Sequence, residues 1–272
     1  MIEKNIIITG GTDGIGLALS KRLIKGNYRI FIIGKNEEKG NKIINELNNK
    51  KIEFLQCDLS EKEQILRLSK KLNNLNSIDA LVNNAGSIFE KRETNSLGIE
   101  RTFALNHLSY FHLSLLLLEK LENSQSPRII NVASNAHKRH QLNLDDLENK
   151  ENYNSWKAYC QSKLLNIFFT YSFNQKIKSK IICNCLHPGF VNSNFGNNNS
   201  SFLRFGINVV KMLFAISNDE ASKNLYSLLI AEDNDKTNGK YFNKSKVKNS
   251  SKFSYDKNIG DFVWEKSLEY ID

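Results

Sequence analysis

The stretch "NIIITGGTDGIG", residues 5–16, joins a short apolar run to a glycine-rich turn. The run has the length of one buried strand, and the residues after Gly16 have the pattern of a helix. Glycines in a strand-to-helix turn let the backbone approach a pyrophosphate closely, and the helix N-terminus adds N–H groups and a positive dipole end. The stretch therefore predicts a βα unit that binds a dinucleotide.

The spacing of this turn is Gly10-x-x-x-Gly14-x-Gly16, which differs from the common G-x-G-x-x-G fingerprint. On its own, such a pattern can also form a tight turn that binds nothing. Its place at the first strand-to-helix turn favours the dinucleotide, because ligands of open α/β sheets bind beyond the carboxyl ends of the strands.

Short apolar runs continue to alternate with longer amphipathic ones. Strand-like runs follow at residues 29–34, 52–58, 78–86, 127–134 and 180–189, and helical patterns at 14–25, 37–49, 61–74, 96–122 and 155–177. Near-continuous apolar strands between helices indicate a parallel sheet that is covered on both faces. The fold class predicted is α/β, a doubly wound Rossmann-type domain.

No linker or repeat divides the chain, so we expect one domain over residues 1–272. Residues 1–190 would form the dinucleotide-binding and catalytic core, and residues 191–218 a substrate lid within the domain. A helix at 219–232 and a late edge strand in "GKYFN", residues 239–243, would complete it.

Composition excludes several classes of protein. With 40% hydrophobic and 25% charged residues, the chain is typical of a globular protein and not of a disordered one. No stretch reaches bilayer length, since the most apolar one, residues 201–216, is interrupted by Arg204 and Lys211. The N-terminus has no signal-peptide pattern, so we expect a cytoplasmic protein without a membrane span.

The net charge of +9 could attract nucleic acid, but the lysines are spread among acidic neighbours. A solvated surface is therefore expected, and no nucleic-acid partner. The cysteines at 57, 160, 183 and 185 lack C-x-x-C spacing. They predict buried, reduced thiols and no metal site.

The segment "AYCQSK", residues 158–163, places Tyr159 and Lys163 one helical turn apart on one face. A neighbouring ammonium and the positive ring of a bound nicotinamide would lower the phenol pKa from its usual value near 10. Tyr159 could then act as an acid/base. The plainer alternative is a solvated helix face.

Two further polar residues could serve the same site. Ser134, at the end of the fifth strand, could donate a hydrogen bond to a substrate carbonyl oxygen, or it could only cap a turn. Asn106 could hold a water that resupplies the proton, or it could satisfy a backbone group. For His107 and His137, packing or pocket lining is favoured over a general-base role.

The end of the second strand bears on the choice of dinucleotide. A carboxylate there would bind the adenosine ribose and repel a 2′-phosphate, but the sequence has Gly34 followed by Lys35. This arrangement favours NADP(H), with NAD(H) possible. Asp13 opposes that preference if it faces the ribose, although it could instead cap the helix.

Taken in order, "TGGTDGIG", "CDLS", "NNAG", "LNHLSYF", "NVASNAH", "YCQSK" and "LHPGFVNS" resemble the short-chain dehydrogenase/reductases, and within them the retinol-dehydrogenase-like branch. The similarity covers nearly the whole chain. It implies that Ser134, Tyr159 and Lys163 are the catalytic triad and Asn106 its fourth member. Lys163 would also bond the nicotinamide ribose, and Asn83 would support the cofactor site.

The resemblance also implies a set of residues that line the dinucleotide. They are Gly10, Thr12, Gly14, Ile15, Gly16, Lys35, Asp58, Leu59, Asn84, Ala85, Gly86, Tyr159, Lys163, Pro188, Gly189 and Val191. Asp58 would contact the adenine edge, and Pro188 with Gly189 would line the nicotinamide pocket. Ser193 replaces the family's usual threonine and keeps a hydroxyl.

The function implied is interconversion of a carbonyl and an alcohol by an NADP(H)-preferring enzyme, with an apolar small-molecule aldehyde, ketone or alcohol as substrate. A reductase of carbon–carbon double bonds and a nicotinamide-binding sensor without turnover are the alternatives. A homodimer through the apolar faces of residues 96–122 and 155–177 is possible, and so is internal cover of those faces.

Overall fold

A single eight-stranded sheet runs through the residues that the computed structural model describes, which are 3–140, 142–189, 216–231 and 237–272. The strand order is β3-β2-β1-β4-β5-β6-β7-β8. Every neighbouring pair is parallel except β7 with β8, which is antiparallel. The predicted doubly wound α/β fold is confirmed. The predicted lid at 191–218 lies outside the described residues except for its last three.

The strands are short and mostly buried. They are β1 (Lys4–Thr9), β2 (Tyr28–Gly34), β3 (Ile52–Gln56), β4 (Ala80–Asn83), β5 (Arg128–Val132), β6 (Ile182–His187), β7 (Tyr241–Asn243) and β8 (Lys246–Val247). In β4, β5 and β6 every residue is buried, which explains their near-continuous apolar sequences. The late strand predicted in "GKYFN" is confirmed as β7.

The helices cover both faces of the sheet. They are α1 (Gly14–Leu23), α2 (Glu37–Leu47), α3 (Lys62–Leu72), α4 (Arg101–Phe103), α5 (Ser109–Leu116), α6 (Leu118–Glu122), α7 (Ser155–Lys176), α8 (Asn218–Ile230) and α9 (Lys257–Ile271). A π-helical segment, Ala104–Leu108, connects α4 to α5. One face of the sheet packs against α1, α2 and α8. The other packs against α3, α5, α7 and α9.

The helix predicted from residue 96 begins instead at Arg101. Gly98 has a left-handed backbone, with φ of +78°, that a helix does not contain. The buried carboxylate of Glu100 then accepts hydrogen bonds from the N–H groups of Thr102 and Phe103, both at 2.7 Å. Glu100 is therefore the cap at which the helix starts. The other predicted helices occur with their ends shifted by two residues or fewer.

The C-terminal helix α9, which is not among the predicted helices, packs on the apolar faces of α5 and α7. Trp264 contacts Phe111 with ring centroids 4.9 Å apart and Phe169 at 6.2 Å. These are the faces considered above for subunit pairing. Within the described residues they are covered by the chain's own C-terminal helix.

Cys57, Cys160, Cys183 and Cys185 are all buried as free thiols, as predicted. No helix in the described part of the chain has the length and apolar character needed to cross a bilayer.

We expect Trp264→Ala to lower the free energy of unfolding by about 3–5 kcal/mol, because it removes a buried indole between two helices. Trp156, the other tryptophan, is 47% exposed, whereas Trp264 is 7% exposed. Trp156→Ala is therefore the control, with an expected loss below about 1 kcal/mol. Urea unfolding followed by far-UV circular dichroism measures both. Equal losses would contradict the packing of α9.

Candidate active site

The predicted site residues come together at the carboxyl ends of the strands. Following the strands in chain order, these residues are Gly10, Thr12, Gly14, Ile15, Gly16, Lys35, Asp58, Leu59, Asn84, Ala85, Gly86, Ser134, Pro188 and Gly189. Tyr159 and Lys163 come from α7, and Asn106 from the π-helical segment. Val191 and Ser193 lie outside the described residues.

The turn after β1 is built for close backbone contacts. Gly10 has a φ of +65°, and a methyl group on it would lie 3.0 Å from the Cα of Ala85. A methyl group on Gly16 would lie 2.4 Å from the carbonyl oxygen of Gly10. Only glycine fits at both positions, so the turn can offer its backbone and the positive end of α1 to an anionic group. These features fit the pyrophosphate of a dinucleotide.

Thr9, which the sequence analysis did not single out, fastens this turn to the loop after β4. Its hydroxyl accepts hydrogen bonds from the N–H groups of Asn84, at 2.8 Å, and Ala85, at 3.0 Å. The side-chain amide of Asn84 donates in return to the carbonyl of Thr9, at 2.9 Å. Asn84 and Ala85 therefore fix the shape of the cofactor edge.

At the end of β2, Gly34 lies against the side chain of Thr12. A Cβ on Gly34 would lie 2.7 Å from the hydroxyl of Thr12, which is itself buried. Asp13 caps α1, accepting from the N–H of Gly14 at 2.7 Å, and pairs with Lys39 at 2.5 Å. Of the two roles considered for Asp13, the structure shows the one as N-cap of α1. Lys35 is exposed at the end of β2.

Asp58 is held by protein partners. Ser60 donates to its Oδ1 through its hydroxyl, at 2.6 Å, and through its N–H, at 3.0 Å, while Arg101 lies 3.5 Å from Oδ2. Burial acts to raise the pKa of this carboxyl, but the hydrogen bonds from Ser60 and the charges of Lys35 and Arg101 lower it overall. The side chain of Leu59 is buried in the core, so only its main chain could face a ligand.

Ser134 and Tyr159 meet at the end of β5. The Ser134 hydroxyl is near enough to the Tyr159 phenol to act on the phenol pKa, which it lowers against the effect of burial. Ser134 also accepts a hydrogen bond from the N–H of Ala136 at 3.2 Å, so its own proton is available to donate. Of the two roles considered for Ser134, the structure shows the cap, while the role as a site hydroxyl stays a prediction.

Lys163 is buried beside this pair. Its Nζ donates to the carbonyl of Val132 at 3.0 Å and lies 5.7 Å from the centroid of the Tyr159 ring. Gly86 lies beside it, since a methyl group there would be 3.4 Å from Nζ, an ordinary contact distance. Burial lowers the pKa of Lys163 to about 7.

The pKa of Tyr159 differs from the sequence-based expectation. Burial raises it to about 12, and the hydrogen bond from Ser134 offsets only part of that rise. The expected lowering combines the ammonium with the positive ring of a bound nicotinamide. For the protein alone, the desolvation of the phenolate sets the direction of the shift, and Ser134 is the group that lowers the pKa.

Asn106 bonds to the protein through its whole side chain. Its amide oxygen accepts from the N–H of Ser87 at 2.9 Å, and its amide nitrogen donates to the carbonyl of Ser87 at 2.9 Å and to Ser162 at 3.1 Å. The side chain thus ties the π-helical segment to the loop after β4. Asn83 lies below the site, fully buried, and donates to Asn131 and Ser114.

Two histidines near the site are part of its framework. His137 lies with Nδ1 2.6 Å from the carbonyl of Ser134, and its Nε2 accepts from the N–H of Ser251 at 3.1 Å. His107 is fully buried among aromatic rings. Both histidines are packed, as favoured from the sequence.

The loop after β6 closes the described site. Gly189 has a φ of +111°, and a methyl group on it would lie 2.5 Å from the Cδ1 of Ile216. The carbonyl of Pro188 accepts a hydrogen bond from Asn224 of α8 at 3.1 Å. Together these groups offer a phenol, a serine hydroxyl and an ammonium beside a cradle for a dinucleotide, which suits proton transfer coupled to hydride transfer.

Known proteins resemble this chain in sequence. The family model described as short chain dehydrogenase matches residues 4–203. Human polyprenol dehydrogenase is 30% identical over 279 residues, covering 98% of this chain and 84% of the relative. Human retinol dehydrogenase 13 has the same identity and the same coverage of both chains.

Solved structures share the fold. The crystal structure of an uncharacterized protein from Mycobacterium paratuberculosis superposes with a TM-score of 0.79 at 22% identity, covering 99% of this chain and 93% of the other. A single-residue variant of the actinorhodin polyketide ketoreductase, solved with NADPH, has a TM-score of 0.68 at 21% identity, covering 89% and 95%.

The buried lysine predicts a pH dependence of stability. Between pH 7 and 10.5 the unfolded chain keeps a proton on Lys163 that the folded chain, with a pKa of about 7, releases. Stability relative to the uncharged variant Lys163→Met should therefore rise with pH, by up to about 1.4 kcal/mol per unit. Urea unfolding of both proteins at pH 7 and pH 9.5 measures this. A difference that does not change with pH would contradict it.

Proposed function

The chain belongs to the short chain dehydrogenase family of oxidoreductases, and we propose that it interconverts an apolar aldehyde or ketone and the corresponding alcohol, with a preference for NADP(H). The observation that carries the proposal is that Ser134, at the end of β5, lies beside the phenol of Tyr159, with the Nζ of Lys163 5.7 Å from the centroid of the Tyr159 ring.

The roles of the side chains follow from their partners. A bound nicotinamide ring would supply the hydride to a carbonyl carbon or accept it from an alcohol. Ser134, whose oxygen accepts from Ala136, would donate a hydrogen bond to the substrate oxygen, keep its own proton and stabilise the charge that develops there. Tyr159 would give that oxygen its proton, and the nearby Lys163 would stabilise the phenolate left behind.

The relatives suggest the class of substrate. Their names, polyprenol dehydrogenase and retinol dehydrogenase, refer to long apolar alcohols. We propose that this chain likewise takes an extended apolar alcohol or its carbonyl form. Action in the cytoplasm and the possible homodimer remain predictions from the sequence.

The preference for NADP(H) is supported by charge at the adenosine end. Lys35 stands exposed next to Gly34, whereas Lys39, in the first turn of α2, pairs with Asp13. A 2′-phosphate would gain from the charge of Lys35, and the position where a carboxylate would repel it is glycine.

A substrate panel with NADPH and NADH tests the reaction. Retinaldehyde, a long-chain isoprenoid aldehyde, a short aldehyde, a cyclic ketone and an enone are each followed by coenzyme absorbance. Turnover of aldehydes supports the proposal, while reduction of only the enone double bond would favour a carbon–carbon double-bond reductase. Coenzyme binding without turnover on any compound would favour the sensor.

We expect Tyr159→Phe to lower kcat by about 10²–10⁴-fold, because it removes the acid/base oxygen and leaves the ring. The dissociation constant for NADPH, measured by calorimetry, should change less than about threefold. Tyr171→Phe removes a hydroxyl from the same helix, where it bonds Ser250 at 2.8 Å, and should keep full turnover. Full turnover in Tyr159→Phe would exclude the mechanism.

Lys35→Ala should weaken NADPH by about tenfold, since it removes one charge-assisted contact to a phosphate, and should leave NADH unchanged. Lys42→Ala is the matched control, because Lys42 is exposed on α2 and pairs there with Glu46 at 4.0 Å. Calorimetric titration of the three proteins with each coenzyme compares them. Equal weakening of NADPH and NADH would refute the role of Lys35.

A further inference from the structure

The C-terminal helix α9 reaches the π-helical segment through a fully buried histidine. The Nε2 of His107 lies 2.9 Å from the hydroxyl of Ser267, on α9. Its Nδ1 lies 3.3 Å from the amide oxygen of Asn166, on α7. His107 and Asn166 are 0% exposed and Ser267 is 1% exposed, so water does not compete for these bonds.

The direction of the bonds can be assigned. The amide nitrogen of Asn166 donates to the main-chain carbonyl of Asn106 at 2.9 Å, so its oxygen is the atom that faces His107. Nδ1 of His107 therefore carries the proton, and Nε2 accepts one. Burial lowers the pKa of His107 to about 4, so the ring is neutral at neutral pH and fits this pattern.

Ser267 is the residue of α9 that reaches Nε2. Its hydroxyl donates to the carbonyl of Val263, 2.7 Å away, and lies 2.9 Å from Nε2. Because the hydroxyl has one proton, it donates either to that carbonyl or to Nε2. Without that hydroxyl, Nε2 of His107 would be a buried acceptor with no donor from α9.

The hydrogen bonds that start at Ser267 and pass through His107 and Asn166 end at Asn106. The side chain of Asn106 bonds Ser87 in both directions and donates to Ser162, whose hydroxyl donates to the carbonyl of Tyr159 at 2.8 Å. Ser267, His107 and Asn166 thus connect α9 with the loop after β4 and with the turn of α7 that carries Tyr159.

We propose that Ser267, His107 and Asn166 are positioning residues, which hold Asn106 and the loop at Ser87 in the arrangement needed for hydride transfer. The proposal rests on the proposed function. It makes α9, more than a hundred residues beyond Asn106, a part of the active-site framework.

A hydrogen bond between α7 and α9 supplies the control. Ser172, on α7, donates to the carbonyl of Gly260 at 3.2 Å. Like Ser267 it is a buried serine whose hydroxyl bonds a neighbouring element, but its bond leads to the main chain of α9 and not to His107. Ser267→Ala and Ser172→Ala each remove one hydroxyl, so their effects on Tm should be similar.

The test compares turnover in these two variants with the parent protein. We expect Ser267→Ala to lower kcat by about tenfold or more with an unchanged KM for NADPH, because small displacements near reacting groups cost much of the rate. Ser172→Ala should stay within about twofold of the parent. Ser267→Ala combined with Asn166→Ala should lose little more than either alone, since both interrupt one series of bonds.

Hydrogen exchange gives a readout that does not need turnover. In Ser267→Ala, the peptides that contain Ser87 and residues 104–108 should exchange faster than in Ser172→Ala, measured by mass spectrometry without coenzyme. Equal exchange and equal kcat in the two variants would overturn the positioning role. A parent protein that turns over no compound of the panel would instead refute the proposed function.

Discussion

The site depends on a lysine amine that is held out of water. Lys163 is 3% exposed, and its Nζ donates to the carbonyl of Val132. A charge in such a place is costly, which lowers the pKa of Lys163 to about 7, so the fold must bring polar groups to it. The docking of α7 against the end of β5 provides the carbonyl. The same docking carries Tyr159 to Ser134.

The sequence predicts the strands and helices, because their patterns of apolar residues have a local period. Strands and helices have their own periods, and Tyr159 and Lys163 share a face because of the helical period. The start of the helix expected at residues 96–122 is mispredicted because the apolar pattern looks continuous from residue 96. The helix begins only at Arg101, after the left-handed backbone of Gly98 and the capping carboxylate of Glu100. The helix α9 is not among the helices predicted from the sequence, and its place in the fold is set by its packing on α5 and α7.

The contacts that assemble the site are tertiary, and few of them have a local signal. Nothing around Thr9 indicates that its hydroxyl receives two N–H groups from residues 84 and 85. Asn166 does have a weak signal, since it lies on the same face of α7 as Tyr159 and Lys163 and is polar among apolar neighbours. The pKa of Tyr159 could not be predicted from Lys163 alone, because it depends on how much water the fold removes from the phenol.

Cys160, the residue after Tyr159, carries a thiol, a group that as a thiolate attacks electrophiles. Cys160 is 0% exposed, and burial raises the pKa of its thiol to about 12. At neutral pH only about one such thiol in 10⁵ is a thiolate, which is the form that attacks electrophiles. Under the proposed function, an aldehyde bound at Tyr159 would thereby be spared capture as a thiohemiacetal by the neighbouring side chain.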